Sequence, residues 1–276
     1  MPLIATRGAA SAQGFGEFAQ SAAPNYIEDV FSTYLYTGNS PSTQTITNGI
    51  DLSGKGGMVW VKSRVSGDGA TYNNILMDTV RGTGSGNILY GNLTLAAQTA
   101  PNAGISSFNS NGFSLRYDDG YGTNYPSGGT FASWTFRKQP KFFDVVTYTG
   151  NNGTGSGIQT IAHNLGSVPG TIIVKCIDTA PYDWIVYHRS LGATKYAYLN
   201  TTAAADTFSG YWNNTAPTST EFTVGTSGGV NGSGQTYVAY LFAHNAGGFG
   251  LTGTDNVISC GSATGDPATY LATVDL

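Results

Sequence analysis

The sequence is short of charge. Lysine, arginine, aspartate and glutamate make up only 10% of its 276 residues, against about a quarter in an ordinary globular chain. Only three of them are glutamates, Glu17, Glu28 and Glu221. With helix formers this scarce, no window of about a dozen residues keeps an apolar stripe at helical spacing, which excludes a helical bundle. The basic residues are scattered and the net charge is −4, so there is no electrostatic footprint for nucleic acid. No run of about 18 apolar residues exists, and Met1 to Arg7 has no apolar core, which argues against a membrane span and a secretory signal.

Two cysteines, Cys176 and Cys260, are too few for a disulfide scaffold; both fall in strand-like runs, where a buried free thiol is expected. The three histidines, His163, His188 and His244, are too far apart in sequence for a zinc motif, and loop or strand ends are expected to leave His163 and His188 exposed. Glycoside hydrolysis needs a carboxylate pair on one face of a strand. The adjacent Asp118 and Asp119 would point to opposite faces, so they read as a solvated turn, with a weak Ca²⁺ site as the alternative. No nucleophile elbow, phosphate loop or dinucleotide fingerprint is present. The residues point to no catalytic group, cofactor or metal.

What the chain does have is glycine, 39 residues of it, and aromatics, with 17 Tyr, 13 Phe and 4 Trp. Strand-like runs rich in Val, Ile, Thr and aromatics alternate with Gly/Asn/Ser/Pro loops, the pattern of an all-β sandwich or jelly roll. The runs also repeat. Tyr36-Thr37-Gly38-Asn39 recurs as Tyr148-Thr149-Gly150-Asn151, 112 positions later (148 − 36). Gly57–Lys62, Gly112–Leu115 and Phe131–Phe136 recur in the same order at Gly170–Lys175, Glu221–Val224 and Tyr237–Phe242, with small drifts as loops of different length would produce.

The expected organisation is therefore an arm over residues 1–29, a first β-sandwich over 30–139, a second over 140–248, and the start of an incomplete third repeat or a linker over 249–276. The third copy is expected to open at Val257, which aligns with Val145, and the chain is expected to continue past residue 276. The arm is too weakly hydrophobic to fold alone. Phe15, Phe18 and Tyr26 are its candidate anchors for assembly. Trp60, Trp134, Tyr240 and Phe242 lie inside strand-like runs and read as core or half-core. Tyr117, Tyr121 and Tyr125, in a polar loop, and Tyr211, Trp212 and Asn213, between two turns, are the candidate carbohydrate platforms; packing beneath a loop or at a subunit interface is the alternative.

Several stretches together resemble bacteriophage tail-fibre and baseplate-associated fibre proteins, in particular those of cyanophages. They are the opening Met1 to Ala12 with Gly14-Phe15-Gly16, the Tyr148-Thr149-Gly150-Asn151 motif, Ile161 to Gly166 with Val168 to Lys175, and Tyr182 to Arg189. The resemblance implies a concanavalin-type, lectin-like sandwich in a virion structural protein. It further implies a homotrimer, attachment to tail or baseplate proteins through residues 1–29, contact with a host-cell surface glycan, and residence in the phage tail after assembly in the host cytoplasm. It carries over no catalytic residue. A capsid decoration protein and a polysaccharide-degrading tailspike are the alternative functions.

Overall fold

A computed structural model describes residues 24–65, 68–152, 157–266 and 271–275. Phe15 and Phe18 lie outside them. The protein is all-β. Strands β1 (Phe31–Thr37), β2 (Gln44–Thr47), β3 (Gly57–Val65), β4 (Ile75–Asp78), β5 (Leu89–Tyr90), β6 (Ile105–Asn109), β7 (Gly112–Leu115) and β8 (Thr130–Arg137) form a first unit. A second unit holds β9 (Phe143–Thr149), β10 (Gln159–Ala162), β11 (Thr171–Cys176), β12 (Ile185–His188), β13 (Lys195–Tyr198), β14 (Asp206–Thr207), β15 (Glu221–Val224) and β16 (Thr236–Phe242). Each unit pairs a large antiparallel sheet with a small one, β1-β8-β3-β4-β5 over β2-β7-β6 and β9-β16-β11-β12-β13-β14 over β10-β15. The order corresponds, with β14 an additional edge strand in the second unit. Where the first unit has β6, the second has a helical turn, Ser209–Trp212.

Each unit buries a core between its sheets. Tyr36, Val59, Val61, Met77 and Phe131 pack on Ile46, Phe113 and Leu115 in the first, and Tyr148, Ile172, Val174, Tyr237 and Leu241 pack on Ile161, Phe222 and Val224 in the second. A third core lies between the units, where the opposite faces of the two large sheets meet. Met58 and Leu76 pack there with Phe143, Val145, Trp184, Val238 and Tyr240. Side chains alternate across a strand, so β16 sends Tyr237, Ala239 and Leu241 into its own core and Val238 and Tyr240 into the shared one. That is why the run Tyr237–Phe242 has no polar alternation: both of its faces are covered.

Polar groups tie the units together inside this core. Tyr240 of β16 donates its hydroxyl to Asp78 Oδ2 at 2.8 Å, and Arg81 Nε donates to the same oxygen at 2.6 Å. Trp184 Nε1 donates across to the Tyr90 carbonyl at 3.0 Å. Lys175, fully buried, donates Nζ to Tyr182 O at 2.6 Å and to Thr94 O of the first unit at 3.1 Å.

The repeated Tyr-Thr-Gly-Asn motif has a structural reason. The Tyr36 hydroxyl donates to the Thr123 carbonyl at 2.5 Å and the Tyr148 hydroxyl to the Val230 carbonyl at 2.7 Å. In each case the next loop residue, Asn124 or Asn231, bonds to the motif asparagine, Asn39 or Asn151. Glycine is required between them: a Cβ on Gly38 would lie 2.6 Å from the Asn124 carbonyl oxygen, and one on Gly150 would strike the Gly232 carbonyl.

Three expectations need correction. Asp118 is no solvated turn: it is fully buried, and its oxygens accept from Gly120 N, Tyr121 N, Thr123 N, Thr123 Oγ1 and Asn124 N, which leaves no lone pair turned outward for Ca²⁺. The run at Val257 is not a strand. Ile258 O accepts from Asn245 N at 3.0 Å, and Val257 and Ile258 pack against the shared core. Cys260 is therefore buried in coil. His163, expected at an exposed site, is 5% exposed, its Nδ1 accepting from Leu165 N. The last described element is a hairpin of β17 (Ser262–Asp266) and β18 (Leu271–Asp275).

Candidate functional site

The residues singled out as carbohydrate platforms do not come together. Tyr117, Tyr121 and Tyr125 are half-buried in the first unit's loop; Tyr121 packs against that unit's core, and the edge of Tyr125 meets Tyr72 at 6.2 Å between ring centres. In the second unit Trp212 is 2% exposed and packs edge-on to Tyr187, so it is core and no platform. Asn213 caps the Ser209–Trp212 turn in the left-handed conformation and donates to Thr215 Oγ1. Tyr211 sits between Tyr196 and Phe208, with ring centres at 4.6 and 5.0 Å and planes nearly perpendicular. Its ring is used inside a cluster that also holds Tyr198. The Tyr196 hydroxyl is pushed up to about 12, first by its hydrogen bond with Tyr198. In the arm, Tyr26 is exposed, and its N–H donates to Asp29 Oδ2.

The open site is elsewhere, between the two units beside the shared core. Alternation along β3 places Trp60 on the shared face with Met58, but the second unit covers it only in part. Beside it runs a cleft of about 680 Å³ walled by Trp60, Asn74, Gly91 and Asn92 on one side and Leu199 to Thr202 on the other. Trp60 also borders an apolar hollow of about 250 Å³ with Trp134 and Phe136, its ring 6.4 Å from that of Trp134.

The walls are rigid for local reasons. Asn92 Oδ1 accepts from Asn74 N at 3.0 Å, and Gly91 N donates to Asn74 O, which locks the end of β5 to the start of β4. Opposite, Asn200 Oδ1 accepts from Trp184 N and its Nδ2 donates to Asp183 Oδ1. Those amides are spent on structure. Asn74 differs: among the described residues its Oδ1 has no hydrogen-bond partner, a cost in free energy. Among the described residues no charged side chain lines the cleft.

Among the described residues no three His, Cys, Asp or Glu side chains gather as a metal would require. No helix among them is long and apolar enough to cross a membrane. Residues 27–265 match the model of a domain of unknown function, DUF7483. The chain belongs to the DUF7483 family. No curated protein matches it. The matched span opens before β1, runs through both units and ends in β17, so the DUF7483 domain encloses the pair together with the cleft between them.

Sequence reasoning missed this cleft because Thr201 meets Trp60 and Asn74 only through the packing of one unit on the other. The one available signal was Trp60 itself, a large amphipathic ring on a strand whose two faces differ in how well they are covered.

Proposed function

We propose that this DUF7483 chain is a structural and receptor-contacting part of a phage tail fibre, and that its inter-unit cleft holds a neutral sugar ring of a host surface glycan. The observation that carries this reading is Trp60 beside the unpartnered Asn74 amide in a cleft without charge. An indole face takes the apolar side of a pyranose, while amide and Thr201 and Thr202 hydroxyl groups suit its hydroxyls. Two sandwiches fused through one core make a stiff module, and a symmetric oligomer multiplies weak sugar contacts by avidity. The fibre assignment itself rests on the sequence resemblance. The carboxylates a glycan hydrolase would use are engaged elsewhere: Asp118 in its loop, Asp119 with Asn102, Asp183 with Asn200.

The test is antibody labelling of intact virions together with light scattering of the purified chain. Label along the tail fibres and an oligomer, expected to be a trimer, support the reading. Label on the capsid shell favours a decoration protein, and a monomer found on no virion sinks the proposal.

A further inference from the structure

The second unit carries another concavity, at the end of β11, β12 and β16 remote in sequence from the Trp60 cleft. It measures about 330 Å³, and Lys141, Ser167, Tyr187, Arg189 and His244 line it, with no aspartate or glutamate among the described residues of its walls. Lys141 and Arg189 are exposed, and among the described residues neither has an ion-pair or side-chain hydrogen-bond partner. In a chain of net charge −4, two free cations facing one hollow are a local reversal of sign. The Ser167 Oγ is buried there with no partner among the described residues.

The backbone fixes the arrangement. Arg189 N donates to Gly170 O at 2.9 Å and Lys141 N to Leu165 O at 2.6 Å. Lys141 adopts φ +67°, a left-handed conformation that costs a side-chain-bearing residue about 1 kcal/mol or more. His244 Nδ1 accepts from Cys260 N at 2.9 Å, so the neutral ring carries its proton on Nε2 and is a donor on that side. Burial first, then the charges of Arg189 and His188, hold the His244 imidazole below its ordinary value.

The first unit differs at the corresponding strand ends. By strand register Asp78 stands where the second unit has His188, and Lys138 where it has His244. There Asp78 pairs with Arg81, and Lys138 with Asp144 at 2.9 Å. The Lys138–Asp144 pair joins the first unit to β9 of the second, whereas among the described residues neither His188 nor His244 forms an ion pair.

We propose that this concavity binds a small anionic group, the carboxylate or phosphate of an acidic sugar, held by Arg189 and Lys141 with His244 Nε2–H and the Ser167 hydroxyl as neutral donors. Guanidinium and ammonium groups give charge-assisted hydrogen bonds to such oxygens, and a neutral sugar has nothing to satisfy them.

The experiment follows the His244 ring resonances by NMR while inorganic phosphate, methyl glucuronide and neutral methyl glucoside are titrated in turn. Phosphate or the glucuronide is expected to shift them and to raise the His244 pKa, with the glucoside inert. Phosphate alone marks a phosphorylated glycan as the source, the glucuronide alone a uronic acid. Arg189→Ala is expected to weaken anion binding about ten-fold or more, and Arg189→Gln, which keeps donors without charge, to restore little of it. Both replace an exposed side chain and leave the fold intact. Silence toward both anions, an equal response to the glucoside, or an unchanged response in Arg189→Ala overturns the proposal. Trp60→Ala is expected to leave the anion response as it is, so failure here is separate from failure of the neutral-sugar reading.

Discussion

Asn231 holds Asn151 by two hydrogen bonds: Asn151 N donates to Asn231 Oδ1 at 2.8 Å, and Asn231 Nδ2 donates to Asn151 Oδ1 at 3.2 Å. The same amide donates to Gly157 O and Gly225 O at 2.8 and 2.9 Å, so a fully buried group ties three loops to the end of β9. Asn124 and Asn39 repeat the clasp in the first unit, each bond at 3.0 Å. Asn231→Ala leaves buried partners unsatisfied and is expected to cost about 2–4 kcal/mol in urea denaturation. Asn231→Asp should cost at least as much, because a carboxylate would face two carbonyl oxygens. An Asp variant as stable as wild type would show that the amide is not the clasp.

The shared core makes a second expectation. Phe143 lies against Phe136 of the first unit at 5.6 Å between ring centres, and against Tyr240 and Phe242 of its own sheet. Units joined by one apolar interior unfold together. Calorimetry of the chain should show a single transition, and Phe143→Ala, with a side chain 1% exposed, should lower it as a whole by about 3–5 kcal/mol of stability. Two separate transitions, only one of them moved by the variant, would contradict this.

The period and the strands were legible in sequence because a motif such as Tyr-Thr-Gly-Asn needs all four residues: a hydroxyl that reaches a loop, a glycine under a carbonyl, an amide that clasps. The back-to-back packing was written more faintly, in the unbroken apolar run of β16. Loop residues were the weak point. Asp118 and Trp212 sit among polar and glycine neighbours that usually mean solvent, yet one organises its loop from inside and the other fills the place of a missing strand. The Trp60 cleft and the Arg189 concavity draw on segments far apart in the chain, and no local pattern joins them.

Lys175 gives a pH dependence. Burial holds its ammonium group at about 8, below the usual 10.5, with Cys176 and Asp183 opposing the shift. Between those values the unfolded chain binds more protons than the folded one, so the penalty for burying the charge is relieved as pH rises through that window. The buried Cys176 and Cys260 thiols are pushed up from 9.0 and work the other way above it, so the comparison belongs below about pH 9 and against a variant without the amine. From about pH 7.5 to about pH 9, the stability of wild type relative to Lys175→Met should move in favour of wild type by about 1 kcal/mol. A difference that stays flat would mean that the amine keeps its ordinary proton affinity in the fold.

The neutral-sugar cleft is tested by substitutions that separate it from the tyrosines first suspected. Trp60→Ala removes the stacking face and is expected to weaken binding of neutral oligosaccharides, followed by indole fluorescence or NMR, about ten-fold or more. Asn74→Ala deletes a carbonyl oxygen with no partner among the described residues, so it should reduce binding severalfold while leaving stability unchanged or slightly raised. Tyr211→Ala should leave sugar binding as it is, since that ring is held edge to face by Tyr196 and Phe208, and its loss should appear instead as lowered stability of the β13–β14 edge. If Tyr211→Ala abolished sugar binding and Trp60→Ala did not, the site would belong to the tyrosine cluster and the cleft would be only a seam between two units.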